Sequence, residues 1–268
     1  MSLPQFVIPF IKANACSNDF LLIDTAAVSR EADFAELTRQ ICDRRRGVGA
    51  DGVEWMSPHA SADIEIRLIN ADGSEAEISG NGTRCVAAYI CATQDKEEIR
   101  IQTGAGLKTC TLISRNESAY EFETEMGQAK VGEAMEVPMA AGAESGIPVS
   151  LGNPHLVVFV TKFAPNWQLR AAEIQHSGKF PHGVNIEMVA AESKNNIAVR
   201  FFERGVGETQ SSGTGSCASA VAAIATGRAA SPVRVHAQGG TQTVRMEHGR
   251  VFLRGPAELV CRGEFFLA

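Results

Sequence analysis

The 268-residue chain contains no apolar run long enough to cross a bilayer, and its first residues lack the charged-then-apolar order of a secretory leader. A cytoplasmic protein that neither spans nor anchors in a membrane is expected. The seven cysteines are odd in number and form no Cys-x-x-Cys pair, which fits reduced thiols better than a disulfide framework or a zinc ribbon. Basic residues are in deficit, with 25 Lys and Arg against 31 Asp and Glu and a formal charge of −6. That balance argues against a nucleic-acid surface, where Lys and Arg must neutralise phosphates. His59, His176, His182, His236 and His248 lack metal-ligand spacing and read as loop or surface residues. Gly47-Val48-Gly49-Ala50-Asp51-Gly52 is glycine-rich, but it follows a helical pattern and lacks Gly-Lys-Ser/Thr, so it reads as a turn rather than a phosphate loop.

What the chain does have is one unit used twice. Ile64 to Gly82 reads IEIRLINADGSEAEISGNG, and Ile197 to Gly215 reads IAVRFFERGVGETQSSGTG. A gapless shift of about 133 residues superimposes Arg67 on Arg200, Glu75 on Glu208, Ser79 on Ser212 and Gly82 on Gly215. Each copy is an alternating strand, a polar glycine turn, then Ser-Gly-x-Gly opening an Ala-rich helix. A helix N-terminus with close backbone access attracts anions, through its unpaired N–H groups and the positive end of its dipole. Two such termini would suit a carboxylate.

Either side of these helices the pattern is mostly strand. Val7 to Ile11, Phe20 to Asp24, Ile99 to Gln102, Leu107 to Ile113, Tyr120 to Met126 and Leu156 to Val160 all read as strands, and Glu31 to Arg44 as a helix. Ala129 to Ile147 is rich in Ala, Glu and Gly with little periodicity, so the domain junction is expected there, dividing the chain into residues 1–130 and 131–268. The final strand is free in this reading to pack with the first half.

Six motifs then carry a resemblance spanning nearly the whole chain. Asn18-Asp19-Phe20, Asn70-Ala71-Asp72-Gly73-Ser74-Glu75, Gly80-Asn81-Gly82, Gly152-Asn153-Pro154-His155, Gly183-Val184-Asn185 and Glu203-Arg204-Gly205-Val206-Gly207-Glu208-Thr209 occur in the order and spacing of diaminopimelate epimerase. The resemblance implies an α/β (α+β) fold of two pseudo-symmetric domains, each a curled, mostly antiparallel sheet around a central helix. It further implies inversion of an amino-acid α-carbon without any cofactor, one cysteine thiolate removing the proton while a second thiol returns one. The implied partner is a small amino acid, with neither nucleic acid nor membrane, and a homodimer is an admissible oligomeric state.

Carried over by position, the two catalytic cysteines are Ser79 and Ser212 here. Cys85 and Cys217 lie further inside the same helices, where the family often has an additional, non-catalytic cysteine. The loss is chemical rather than steric. A thiol starts near pKa ~8.5 and a helix N-terminus brings it within reach of neutral pH, whereas an alkanol starts about five units higher, roughly 7 kcal/mol away. A helix dipole contributes only about 0.3 to 2 kcal/mol. Serine is also a preferred N-cap, so capping alone accounts for its presence at a helix start. A double substitution made to trap a ligand and a natural divergence both fit; Ala15-Cys16-Ser17 in place of the usual Gly-x-Gly, and Gly52 where some members have Gln, favour divergence.

The remaining site residues come from the same resemblance. His155 and Glu203 correspond to an auxiliary pair that tunes protonation beside the cysteines, and without thiols His155 becomes the base expected near neutral pH. Asn18, Asn70, Asn153, Asn185, Glu203 and Arg204 correspond to substrate-binding positions, with amides and guanidinium addressing distal amino and carboxylate groups. The amides of Gly80, Asn81, Gly213 and Thr214 are expected to take the α-carboxylate. Two other activities remain open beside epimerisation: an amino-acid-binding homologue without catalysis, and a one-base isomerase or dehydratase relative.

Overall fold

Two helices buried on nearly their whole circumference are the centres around which the chain folds. The computed structural model describes residues 7–29 and 31–267. Residues 1–6, where a leader would begin, lie outside the described residues. The chain forms two units, one of residues 1–124 with 255–268 and the other of residues 125–254.

The first unit runs β1 (Val7–Ala15), β2 (Asn18–Asp24), α1 (Phe34–Cys42), β3 (Gly52–Ser57), β4 (Ile64–Asn70), β5 (Glu75–Ala76), α2 (Gly80–Gln94), β6 (Glu98–Thr103), β7 (Gly106–Asn116) and β8 (Ala119–Gln128). Neighbouring strands pair antiparallel except at two crossovers: β2 lies parallel to β3 across α1, and β4 parallel to β6 across α2. α2 starts where Ser79, in extended backbone, accepts from Gly82 N at 3.1 Å, and stops where Asp95 turns left-handed at φ 51°. Its Cys85, Val86, Ala87 and Ile90 pack on Phe20, Leu22, Leu68, Ile99 and Phe122 of the sheet. α1 covers the opposite face, over Leu21, Ile23, Trp55 and Ile69. With a helix on each side, β2 and β3 have no solvent face, which is why Leu21, Leu22 and Ile23 are all buried in succession.

α1 is shorter than the expected helix from Glu31 to Arg44. Asp33 caps it, its carboxylate accepting from Ala35 N and Glu36 N, and after Cys42 the Asp43 carboxylate bonds to Arg45 N and Arg46 N instead of continuing the helix.

The second unit repeats the plan: β9 (Lys130–Val131), β10 (Met135–Met139), β11 (Gly142–Ser150), β12 (Pro154–Phe159), α3 (Trp167–Gln175), β13 (Asn185–Ser193), β14 (Asn196–Glu203), β15 (Gly207–Thr209), α4 (Gly213–Ala225), β16 (Val233–Ala237), β17 (Gly240–Glu247) and β18 (Arg250–Phe266). Here β12 is parallel to β13 across α3, and β14 parallel to β16 across α4. Val157, Val189, Val199, Phe201 and Leu253 pack on Cys217, Ala218, Val221 and Ala222 of α4, while α3 covers Leu156, Val158, Ile186 and Met188.

The segment expected to be an irregular junction contains three strands, and the expected division after residue 130 falls inside β9. Only Val137, Glu144, Gly146 and Val149 of the β10–β11 hairpin are buried, so its strands carry little of the alternation that reveals a strand in sequence. The observed divisions lie inside long strands instead. β18 pairs with β17 up to Arg254 and with β1 from Glu258 onward.

Candidate functional site

Both Ser-Gly-x-Gly segments open helices, and both serines are N-caps. At α4, Ser212 Oγ accepts from Gly215 N at 3.2 Å and donates to Glu203 Oε1 at 2.8 Å. A hydroxyl whose proton points at a carboxylate can pass that proton on as it gains another. At α2, Ser79 Oγ accepts from Gly82 N in the same way, but Asn70 holds the place in β4 that Glu203 holds in β14, and its amide donates to Ser74 Oγ at 3.0 Å. The two serines are thus alike as caps and unlike in chemistry.

His155 and Glu203, the two residues expected to be auxiliary, bond to different partners. Its Nδ1 lies 2.7 Å from Glu187 Oε1 and its Nε2 lies 3.0 Å from Asn153 Oδ1. His155 and Glu187 are both fully enclosed, at 1% and 0% exposure. Burial by itself would lower the His155 pKa, but the Glu187 carboxylate, with Glu203 further away, outweighs burial and raises it. Burial raises Glu187 in turn, against the pull of His155. Glu187 and Asn153 thus engage both ring nitrogens, and the raised His155 value favours a protonated imidazole beside Glu187. With both ring nitrogens engaged, His155 presents no free nitrogen to a substrate proton, which weighs against the expected role of base. The group in contact with a cap serine is Glu203.

The other expected residues fall into two sets by what they already hold. At α4, Asn153 Nδ2 donates to Thr214 Oγ1 at 3.2 Å, tying the His155 strand to the helix start. Asn185 is spent on backbone, donating to Pro154 O at 3.1 Å and accepting from Arg204 N at 2.9 Å, so its part is to hold Arg204 rather than to present a free amide. Arg204 itself is exposed, anchored by one nitrogen on His182 O at 2.9 Å. At α2, Asn18 Nδ2 donates to Asp51 Oδ2 at 2.6 Å, and Asn18 Oδ1 accepts from Asn81 Nδ2 at 3.4 Å. Asp51 is held in turn by Arg44, which also bonds Asp19. Gly80 leaves open space where a side chain would be, whereas Gly213 has Leu253 at 3.2 Å from that position.

Cys85 is fully buried, and burial pushes its thiol far above the ordinary value; Cys217 is likewise enclosed. Neither is placed as a nucleophile. Among the described residues no group of three or more His, Cys, Asp or Glu is placed to hold a metal ion, and no helix is long and apolar enough to cross a membrane.

The model of the family described as diaminopimelate epimerase matches residues 10–132 and 147–260, so the match contains both cap serines, Glu203 and His155. The chain belongs to the diaminopimelate epimerase family. It is 37% identical to the diaminopimelate epimerase of Pelotomaculum thermopropionicum, over 96% of this chain and 98% of the relative. It is 34% identical to that of Moorella thermoacetica, over 96% and 98%. Among solved structures, a hydroxyproline epimerase from Agrobacterium vitis with bound trans-4-hydroxy-L-proline matches with TM-score 0.72 at 15% identity, covering 98% of this chain and 93% of that one. A Bacillus anthracis protein of the PhzF family matches with TM-score 0.72 at 15% identity, covering 96% and 98%. These two likenesses concern the fold.

Sequence reasoning missed Glu187, and with it Glu54. Both sit on the central strand that follows the first crossover, β3 in one unit and β13 in the other. The signal was available, because Glu187 follows Glu54 by the same interval that separates Ser212 from Ser79.

Proposed function

We propose that this isomerase inverts the α-carbon of diaminopimelate, or of a closely similar amino acid, without a cofactor, and that it does so with unequal proton-transfer groups. The observation that carries the reading is the Ser212 hydroxyl held between Gly215 N and Glu203 Oε1. As Ser212 Oγ takes the α-proton, its own proton passes to Glu203, so no free alkoxide forms and the carbanion is the only new charge. The Gly213 and Thr214 amides stabilise the substrate carboxylate as negative charge spreads into it. Ser79, without a carboxylate of this kind, returns a proton from its neutral hydroxyl as water reprotonates it, and Glu203 gives its extra proton back to solvent, so that both groups end as they began. The reverse step would need Ser79 as base and is the slow one. Asn18, Asn153 and Arg204 bind the far end of the substrate. A cytoplasmic location and a homodimer both fit this reading.

The test follows the α-hydrogen in deuterated water by NMR, starting separately from each stereoisomer of diaminopimelate. One isomer is expected to exchange faster than it inverts, and a Ser79→Cys, Ser212→Cys double variant to invert both at comparable, higher rates. Equal exchange of both isomers by the native chain would defeat the unequal assignment. Absence of exchange in the native chain and in the double variant alike would defeat the activity.

Asn70 in the place of Glu203 also favours a second reading, an amino-acid-binding protein or a one-base isomerase that never completes inversion. Calorimetry against diaminopimelate and a panel of amino acids separates these: micromolar binding with no exchange supports binding alone, and exchange without inversion supports the one-base reaction.

A further inference from the structure

Glu54 points from β3 into the first turn of α2. It has 0% exposure, and both carboxyl oxygens lack any hydrogen-bond partner. A side chain begun on Gly82, the third residue of that turn, would place its first carbon 1.9 Å from Glu54 Oε1, so the missing side chain of Gly82 is what gives the carboxyl its room. In the second unit Glu187 Oε1 stands 2.9 Å from the corresponding point on Gly215, with His155 to balance its charge. In the first unit the register that matches His155 to Asn185 matches Phe20 to Gly52, so a phenyl ring stands where the imidazole would be. The ionisable groups around Glu54 give no substitute. Arg84 of α2 is buried, with its guanidinium on Asn81 Oδ1 and Pro256 O. Asp19 of β2 is committed to Arg44 and Lys12, and Cys85 of α2 and Cys16 of the β1–β2 turn are thiols. β4 opposes Glu54 with Leu68.

We propose that Glu54 is a positioning residue of the α2 half-site: while it holds its proton, the Gly80–Gly82 turn is open to a ligand carboxylate, and when it ionises it closes that turn to anions. The inference rests on the reading above that this turn takes the substrate's α-carboxylate. A buried carboxylate against Gly82 would occupy the positive potential of the helix start from within, and it would repel a second carboxylate arriving from outside. A neutral acid in the same place leaves that potential to the ligand. Burial keeps the proton on, pushing Glu54 up to about 8, so the change falls just above neutral pH. By linkage, a bound carboxylate raises that value further. The α4 half-site has no such response, because His155 neutralises Glu187.

The test uses acetate as probe on the full chain carrying nitrogen-15 glycine, with the Gly80, Gly82, Gly213 and Gly215 amides followed by NMR at pH 6.5 and pH 9. Acetate is expected to shift Gly80 and Gly82 at the lower pH and to lose affinity for them by about tenfold per pH unit above the Glu54 titration. In Glu54→Gln the affinity is expected to stay level across the range, and the response of Gly213 and Gly215 to be the same in both proteins. Equal acetate shifts of Gly80 and Gly82 at both pH values in the native chain would overturn the proposal. So would their absence at every pH, or a Glu54→Gln profile that falls as the native one does. Should Glu54→Gln fail to fold, the two native profiles still decide. None of these readouts depends on turnover, so a chain that fails the deuterium test can still pass this one.

Discussion

Glu54 and Glu187 hold the same place in the two units, each a buried carboxyl facing the third residue of a central helix, but only Glu187 has an imidazole beside it. The difference gives the duplicated fold two dissimilar half-sites, one electrically balanced and one holding an unpaired acid.

His155→Phe would convert the second arrangement into the first. Removing one partner of a buried ion pair leaves the other uncompensated, at a cost of about 3–5 kcal/mol near neutral pH. The pH dependence has a definite sign. His155 is raised in the folded chain, so its contribution is fully present below the unfolded histidine value and fades as pH rises through the folded one. In the variant Glu187 takes up a proton at the acid end, as Glu54 does, which offsets the lost imidazole there, so urea titrations from pH 5 to 9 are expected to show the smallest loss at pH 5 and a larger one near neutral pH. A His155→Phe, Glu187→Leu double variant should recover most of it.

Glu54 predicts a slope of its own. Its folded value, about 8, exceeds the ordinary carboxyl value of 4.5, so the penalty is absent below pH 4.5 and grows through neutral pH by about 1.4 kcal/mol per unit. It levels off once the folded group also ionises, at a total on the order of 5 kcal/mol. Glu54→Leu is expected to be more stable than the native chain at pH 8, with little difference at pH 4. A native chain that gains stability relative to the variant as pH rises would contradict the burial that gives the shift.

Asp51→Ala tests how Asn18 is held. Asp51 Oδ2 accepts from both Asn18 Nδ2 and Asp19 N, at 2.6 and 3.1 Å, while Arg44 draws on Oδ1. The Asp51 side chain is 42% exposed, so its removal should cost the fold about 1 kcal/mol or less. The Asn18 amide would lose its orientation. Diaminopimelate affinity measured by calorimetry is expected to fall by about tenfold, equivalent to one charge-assisted hydrogen bond, and Asp51→Asn should restore part of it.

The repeat was legible because it preserves backbone-determining residues. Ser79 and Ser212 cap, Gly82 and Gly215 make room, and the Ala-rich runs after them pack from all sides. The pairing of His155 was not legible. A Glu in a strand such as Gly52–Ser57 or Asn185–Ser193 reads as a solvent-facing position in an alternating pattern, and only the helices on both faces of the sheet turn it inward. The β10–β11 hairpin escaped for the opposite reason, since so little of it is buried. Family resemblance pointed to His155 and Glu203, yet it could not show that Asn153 and Glu187 occupy both nitrogens of the ring.

The buried thiols separate the site assigned to the helix caps from its nearest competitor. Cys85 and Cys217 each sit within the same helix as a cap serine, and a reading of the chain that favoured cysteine over position would choose them. Both are at 0% exposure, and Cys85 is held well above its ordinary value by burial, so a thiolate there is unfavourable and out of reach of any ligand. Cys85→Ala and Cys217→Ala should each destabilise the fold by about 1 kcal/mol, the loss of a small packed group, and leave α-hydrogen exchange unchanged. Ser212→Ala should do the reverse. It removes an N-cap, worth about 1 kcal/mol, and the hydroxyl bonded to Glu203, so exchange should fall far more than stability does. If a folded Cys217→Ala protein lost exchange while Ser212→Ala kept it, the proton would be travelling through the thiol and the assignment of the helix start would be wrong.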